Sequence, residues 1–237
     1  MASRDFDTDS LARYLHITPM QVQKLAERGN VPGRRIAGEW RFSKSEIHHW
    51  LEERIGAAGE ADLRDVQRIL DRAAASSDAA TVAISDLLLP DAIAIPLAAR
   101  TRSSVIKSMV ELATKTGMLW DSAAMVEAVQ ARESLHPTAL DTGVALLHPR
   151  RPLPNILAQP FLALGRTPSG IPFGSATGQL TDIFYLICSI DDRGHLQTLA
   201  RLSRLIADPE LLAALRQAPN AEAIHEAIES AEVKLDD

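Results

Sequence analysis

Between residues 9 and 28 the apolar positions recur at helical spacing. Leu11, Ala12, Tyr14 and Leu15 follow Asp9 and Ser10, either of which can cap a helix. Thr18-Pro19 pairs an N-cap with proline at the first helical position. A second helix then runs from Met20 to Arg28 and stops at Gly29. Its apolar residues Met20, Val22, Leu25 and Ala26 lie on an approximate stripe. From Val31 to Phe42 the period changes, and alternation around Gly38 predicts a hairpin. Ser43 caps a third helix over 44–51. Two short helices, a tight turn and a hairpin make a small helix-turn-helix unit.

Beyond Gly56 helical spacing returns. Leu63, Val66, Ile69, Leu70 and Ala73 form an apolar stripe, followed by the small, polar joint Ala74–Ala80. Such a helix either packs on a domain or joins two copies in a homodimer. The remainder alternates strand and helix signals. A first strand is predicted over 92–97, then helices over 102–117 and 121–134. Strands follow near 143–148, 158–165 and 182–190, and helices near 194–206, 208–217 and 220–231. Alternation of this kind predicts an α/β sandwich with a mixed sheet. The chain therefore divides into a small unit (1–55), a linker with an amphipathic helix (56–80) and an α/β domain (81–232).

Composition narrows the classes. The chain has 237 residues, 46% hydrophobic and 24% charged, with a formal net charge of -6. That balance carries no general signature for nucleic acid or anionic membrane. The charge is uneven, however: residues 1–55 are close to neutral, and positions 34–44 hold Arg34, Arg35, Arg41 and Lys44 against one acid, Glu39. Cys188 is the only cysteine, which excludes an intramolecular disulfide and metal sites of the Cys-pair kind. Within the run FYLIC it reads as a buried small hydrophobe. His48-His49 lacks a zinc-site partner set and reads as surface. No metal and no cofactor is expected. No apolar run has membrane-spanning length, and the N-terminus lacks a signal-peptide core. A cytoplasmic protein without membrane insertion is expected.

The candidate chemistry centres on His148, at the end of the run Gly143-Val144-Ala145-Leu146-Leu147. A short buried strand would deliver its imidazole to a rigid place beside the loop Pro149-Arg150-Arg151. Histidine can accept and release a phosphoryl group near neutral pH. A histidine after a strand is by itself as consistent with packing as with chemistry. Three further segments sharpen the reading: Ala131-Arg132-Glu133-Ser134-Leu135, Gly165-Arg166 with Gly170-Ile171-Pro172-Phe173-Gly174, and Asp191-Asp192-Arg193-Gly194-His195-Leu196. With the run around His148, their order and spacing resemble the enzyme IIA domain of the phosphoenolpyruvate-dependent sugar phosphotransferase system, fructose/mannitol and nitrogen-regulatory type, over roughly residues 80 to 232. The resemblance implies that the phosphocarrier protein of that system phosphorylates His148. It implies that His195 lies near the site, that Arg132 helps hold the phosphoryl group, and that a sugar-specific enzyme IIB is a possible acceptor. One departure stands out: the family usually has proline before the reactive histidine, and this chain has Leu147. The residues suit those roles, since an Arg fork and an imidazole match phosphoryl oxygens, and His195 falls near a predicted helix N-terminus that favours anions. Without the resemblance, Arg132 reads as a solvated residue paired with Glu133 or a neighbour, and His195 as a cap.

The N-terminal layout resembles the excisionase-like, winged helix-turn-helix proteins related to the MerR family. The matching residues are Leu11-Ala12-Arg13-Tyr14-Leu15, Val22-Gln23-Lys24-Leu25, Val31-Pro32-Gly33 and Trp40-Arg41-Phe42-Ser43. That resemblance implies duplex DNA as partner, with the second helix in the major groove. Gln21, Gln23, Lys24 and Arg28 would face bases, and Arg34, Arg35, Arg41 and Lys44 would meet phosphates. Phe42, Trp40 and Trp50 read as core. Three functions remain open at this point: a phosphotransfer and regulatory protein, a transcription regulator that only senses phosphorylation, and an adaptor whose winged module binds protein.

Overall fold

The computed structural model describes residues 5–15, 17–57 and 83–236. The predicted linker helix over 60–75 and its Ala74–Ala80 joint lie outside the described residues. The chain forms two compact units, residues 1–81 and 82–237.

The first unit contains α1 (Thr8–Leu15), α2 (Pro19–Glu27), the hairpin β1 (Arg34–Ile36) and β2 (Glu39–Arg41), and α3 (Lys44–Ala57). Asp7, one turn earlier than predicted, closes the start of α1. Its carboxylate accepts from the Ser10 N–H at 2.7 Å, and Ser10 Oγ accepts from the Asp7 N–H at 2.9 Å. Thr18 and Gln21 form the reciprocal arrangement at α2, where the Gln21 side-chain oxygen accepts from the Thr18 N–H at 2.8 Å. The core is Leu11, Leu15, Val22, Ala26, Val31, Phe42, Ile47 and Leu51. Met20 departs from the predicted stripe and is 66% exposed. Its Cα sits about 200° around the helix from Val22, so one face cannot hold both. Trp40 and Trp50 are half-buried, and Trp50 Nε1 donates to the Asn30 carbonyl at 2.8 Å. His49 is half-buried, not a surface residue.

The hairpin turns on Ala37 and Gly38, with φ of 53° and 88°. Positive φ at both central residues is the tight-turn geometry that matches strand twist, and only Gly38 adopts it without steric penalty. Ala37→Gly should therefore stabilise the unit by about 0.5–1 kcal/mol, read as a higher urea midpoint. A lower midpoint would show that chain entropy outweighs strain there.

The second unit contains α4 (Ile84–Leu87), β3 (Leu88–Ala94), α5 (Arg102–Lys115), α6 (Ser122–Leu135), β4 (Val144–Leu147), β5 (Phe161–Ile171), β6 (Thr181–Cys188), α7 (Asp192–Leu205), α8 (Pro209–Gln217) and α9 (Ala221–Asp236). The strands form one mixed sheet in the order β3-β5-β6-β4. β3 is parallel to β5, β5 antiparallel to β6, and β4 parallel to β6. β3 lies about four residues before the predicted 92–97, with Leu97 reduced to one backbone bond to Arg166.

Side-chain alternation covers both faces of the sheet. Ala145, Leu147, Phe161, Ala163, Phe184, Leu186 and Cys188 join one core cluster with Val105, Met109 and Ala113 of α5 and Met125 and Val129 of α6. Val144, Leu146, Leu162, Leu164, Ile183, Tyr185 and Ile187 are equally buried, and by the two-residue period they face the opposite side. Strands buried on both faces explain the near-continuous apolar runs VALL and IFYLIC. Gly165 marks the closest approach of helix to sheet. A Cβ there would lie 2.6 Å from Met109 Sδ and 2.8 Å from a Leu97 methyl.

Candidate functional site

The site is built where two parallel strands end. β4 pairs with β6 through Leu147 opposite Leu186, so both run out at the same margin of the sheet. Ligand sites of α/β sheets form at such carboxyl ends. His148 follows β4 directly, and Ser189 follows β6. His195 stands one turn into α7, its N–H donating to the Asp191 carbonyl at 3.2 Å. Both histidines are buried, at 3% and 4% exposure. Their rings lie 5.1 Å apart between centroids, inclined by 55°. Forty-seven positions of sequence separate residues that the sheet sets side by side.

The hydrogen bond made by His148 fixes its proton. Nδ1 is 2.7 Å from the Leu146 carbonyl oxygen, which can only accept. Nδ1 therefore carries the hydrogen, and the neutral ring keeps its lone pair on Nε2. His195 has a different partner: its Nδ1 is 3.1 Å from Ser189 Oγ, a group able to donate or accept. Ser189 is itself buried, and its carbonyl accepts from the Leu153 N–H at 3.2 Å, which folds the loop after His148 back onto the end of β6. Nothing in the linear pattern distinguished Ser189 from other strand-end serines. Leu147 replaces the family's proline without loosening this end, because it is fully buried and held in register in the ladder.

Arg132 is buried at 7% exposure, not solvated. Its Nη1 donates to the His136 carbonyl at 2.8 Å and closes the last turn of α6. The expected pairing of Arg132 with Glu133 is not what holds Glu133. That carboxylate takes Arg102 Nη2 at 2.6 Å, with the Thr138 N–H at 3.0 Å and the Thr138 hydroxyl. The chain after Arg132 runs along β4, with the Leu146 N–H donating to the Thr138 carbonyl at 3.3 Å and Ala139 bridging Ala145. Continued at that register, His136 would stand across from His148. At the helix N-terminus beside His195 one backbone donor is already engaged, since Asp191 Oδ1 accepts from the Gly194 N–H at 2.8 Å.

The glycine- and arginine-containing segments prove architectural. Arg166 Nη1 donates to the Leu215 and Arg216 carbonyls, at 2.7 Å each, and caps the end of α8. Arg216 in turn grips Asp182 through Nε at 2.8 Å and Nη2 at 3.0 Å. No group of three metal-ligating side chains occurs among the described residues. No helix among them is long and apolar enough to cross a membrane.

In the first unit Gln21, Gln23, Lys24 and Arg28 are exposed on or just after α2. Gln21 is already engaged at the helix cap. The wing is less basic in space than in sequence. Arg34 pairs with Asp5 at 3.0 Å, Arg35 approaches Glu27 at 4.0 Å, and Arg41 pairs with Glu39 at 2.8 Å and approaches Asp7 at 4.0 Å. Arg35 also lies over the Trp40 ring at 5.2 Å, and Lys44 over Phe6 at 5.3 Å. Three of the carboxylates come from outside residues 34–44, which is why the local count concealed them.

A helix-covered mixed sheet with paired histidines at its parallel strand ends defines an α/β sandwich of the enzyme IIA type. Residues 86–231 match the family described as phosphoenolpyruvate-dependent sugar phosphotransferase system, EIIA 2, and the chain belongs to that family. Residues 6–55 match a helix-turn-helix domain. A nitrogen regulatory protein of Bradyrhizobium diazoefficiens is 33% identical over 146 residues, 60% of this chain and 92% of that protein. The fructose-specific EIIABC component of Bacillus subtilis is 30% identical over 143 residues, again 60% of this chain but only 22% of that larger protein. The fold is shared with mannitol enzyme IIA of Escherichia coli, solved in complex with phosphorylated enzyme IIB, at a TM-score of 0.53 and 19% identity over 59% of this chain and 95% of that one.

Proposed function

We propose that this chain is a cytoplasmic phosphotransfer and regulatory protein, phosphorylated on His148 by the phosphocarrier protein, with a DNA-binding module at its N-terminus. The observation that carries this reading is the tautomer of His148. A backbone carbonyl holds Nδ1–H, so Nε2 presents a lone pair to an incoming phosphorus. The new Nε2–P bond forms as the bond from phosphorus to the donor nitrogen breaks, and the donor imidazole leaves with that electron pair. Charge then resides on three oxygens, and catalysis is chiefly positioning and electrostatic stabilisation. In this reading His195, whose ring centroid lies 5.1 Å from that of His148, donates to one of those oxygens. In this reading Arg132, which donates to the His136 carbonyl through Nη1, also helps to hold the phosphoryl oxygens. A sugar-specific enzyme IIB is a candidate acceptor, since enzyme IIA of mannitol forms a complex with one. Attachment of a helix-turn-helix, however, favours signalling over a transport relay. The test is incubation with enzyme I, phosphocarrier protein and labelled phosphoenolpyruvate, followed by addition of enzyme IIB. An unlabelled chain would overturn the proposal, and a labelled chain that never donates onward would make it a sensor.

The paired arginines favour keeping one rival in view, a module that binds protein. Phosphates must displace Asp5, Glu27, Glu39 and Asp7 from the wing before Arg34, Arg35 and Arg41 can serve them. Arg35→Ala and Arg41→Ala should therefore weaken DNA binding on all sequences, while flattening the salt slope by less than about one unit each. Glu39→Gln should tighten binding, by releasing Arg41. Gln23→Ala or Lys24→Ala should alter sequence preference. Fluorescence anisotropy across a salt series measures all of these. No binding to any duplex at low salt would leave the adaptor reading.

A further inference from the structure

We propose that Ser189 is a positioning residue that holds His195 in the Nε2–H tautomer, with its hydroxyl donating into Nδ1. This rests on the phosphotransfer reading of the site. The two histidines are held by unlike partners. His148 leans on a carbonyl at 2.7 Å, which admits one neutral tautomer. His195 leans on a hydroxyl at 3.1 Å, which admits both. A phosphoryl group offers only acceptors, so the imidazole serving it must donate. With the Ser189 hydrogen directed at Nδ1, the proton of neutral His195 sits on Nε2, the arrangement opposite to that of His148. One ring then supplies the lone pair and the other the donor.

Ser189 is suited to this by its own fixation. It is 5% exposed, it follows β6 without an intervening turn, and its carbonyl holds Leu153 across the loop that leaves His148. Its hydroxyl rotor is the one movable part. A hydroxyl can turn to donate or to accept without moving a heavy atom, and here the Nδ1 lone pair calls for donation. A carbonyl in the same place would forbid the Nδ1 lone pair, and an alanine would remove the donor to Nδ1.

The test is long-range 1H–15N NMR on the full chain labelled in its histidines, near pH 7.5, for wild type, Ser189→Ala and Ser189→Thr, alongside the rate of labelling from the phosphocarrier protein. We expect wild-type His195 to show a protonated Nε2 and a hydrogen-bonded, unprotonated Nδ1. Ser189→Ala should mix the two tautomers and slow labelling by about tenfold, the scale of one lost hydrogen bond. Ser189→Thr should restore both readouts. A wild-type His195 protonated on Nδ1 would overturn the proposal, as would a Ser189→Ala protein with unchanged tautomer and rate. The spectrum needs no phosphoryl transfer. A chain that is never labelled, yet whose His195 tautomer depends on Ser189, would uphold the hydrogen bond and sink the phosphotransfer reading.

Discussion

His148→Ala should abolish labelling by phosphoenolpyruvate, enzyme I and phosphocarrier protein, while His195→Ala and Arg132→Ala should retain it at lower rates. The expectation follows from what each group can supply. His148 has a tautomer fixed by a carbonyl, leaving Nε2 as a nucleophile whose orientation a strand end determines. His195, with the Ser189 hydroxyl directed at Nδ1 as proposed, and Arg132, which has no lone pair to give, are expected to assist. Loss of one oriented donor typically costs on the order of a hundredfold in rate, whereas loss of the nucleophile leaves no bond to form. The wild-type product should be acid-labile and base-stable, as expected of a phosphorus–nitrogen bond. His148→Ala is expected to fold, because the residue lies just past the end of β4 and outside its ladder, and its melting curve checks that. Full labelling of this variant would end the assignment. Unchanged rates in both helper variants would remove His195 and Arg132 from the mechanism.

Glu232→Ala should destabilise the second unit by about 3–5 kcal/mol, a large share of the 5–15 kcal/mol typical of a domain. Glu232 of α9 is almost fully buried beside Arg201 of α7, with Arg201 Nε donating to it at 2.7 Å. It also accepts from the Ile84 N–H at 2.7 Å and from the Ser85 N–H and hydroxyl at 2.9 and 2.6 Å, at the start of α4. Removing the carboxylate strands a buried guanidinium and two backbone donors together. Burial alone would raise the pKa of Glu232, yet the hydrogen bonds from Ser85, Arg201 and the Ile84 N–H outweigh it and hold that pKa below the ordinary 4.5. A carboxyl depressed in this way stabilises the fold above its unfolded pKa, and that contribution is lost as pH falls through the lower folded value. Urea midpoints should thus drop below about pH 4.5 more steeply in wild type than in Glu232→Gln. Parallel curves for the two proteins, or a loss below 1 kcal/mol in Glu232→Ala, would contradict the network.

Much of this arrangement was present in local signals. Thr18-Pro19 announced a helix start because a cap acts within three residues of itself. The runs VALL and FYLIC announced buried strands because both faces of the sheet are covered. Their order, with the segments around Arg132 and His195, was sufficient to identify the family. Met20 and the first strand were misplaced where the pattern was short or interrupted by proline. Asp7 was passed over as a cap because Asp9 and Ser10 compete with it at nearly the same spacing.

What only the tertiary structure decided is pairing. The sequence determined that a histidine ends one strand and another opens a helix, since both statements concern neighbours along the chain. That the rings stand 5.1 Å apart depends on β4 lying parallel to β6, a hydrogen-bonding choice with no local cue. The partner of Glu133 proved to be Arg102, from a different helix. The basic wing proved to be matched by carboxylates from positions 5, 7 and 27. Charge counted along a segment measures what the chain carries, whereas Coulomb energy depends on distance, and distance between remote residues exists only after folding.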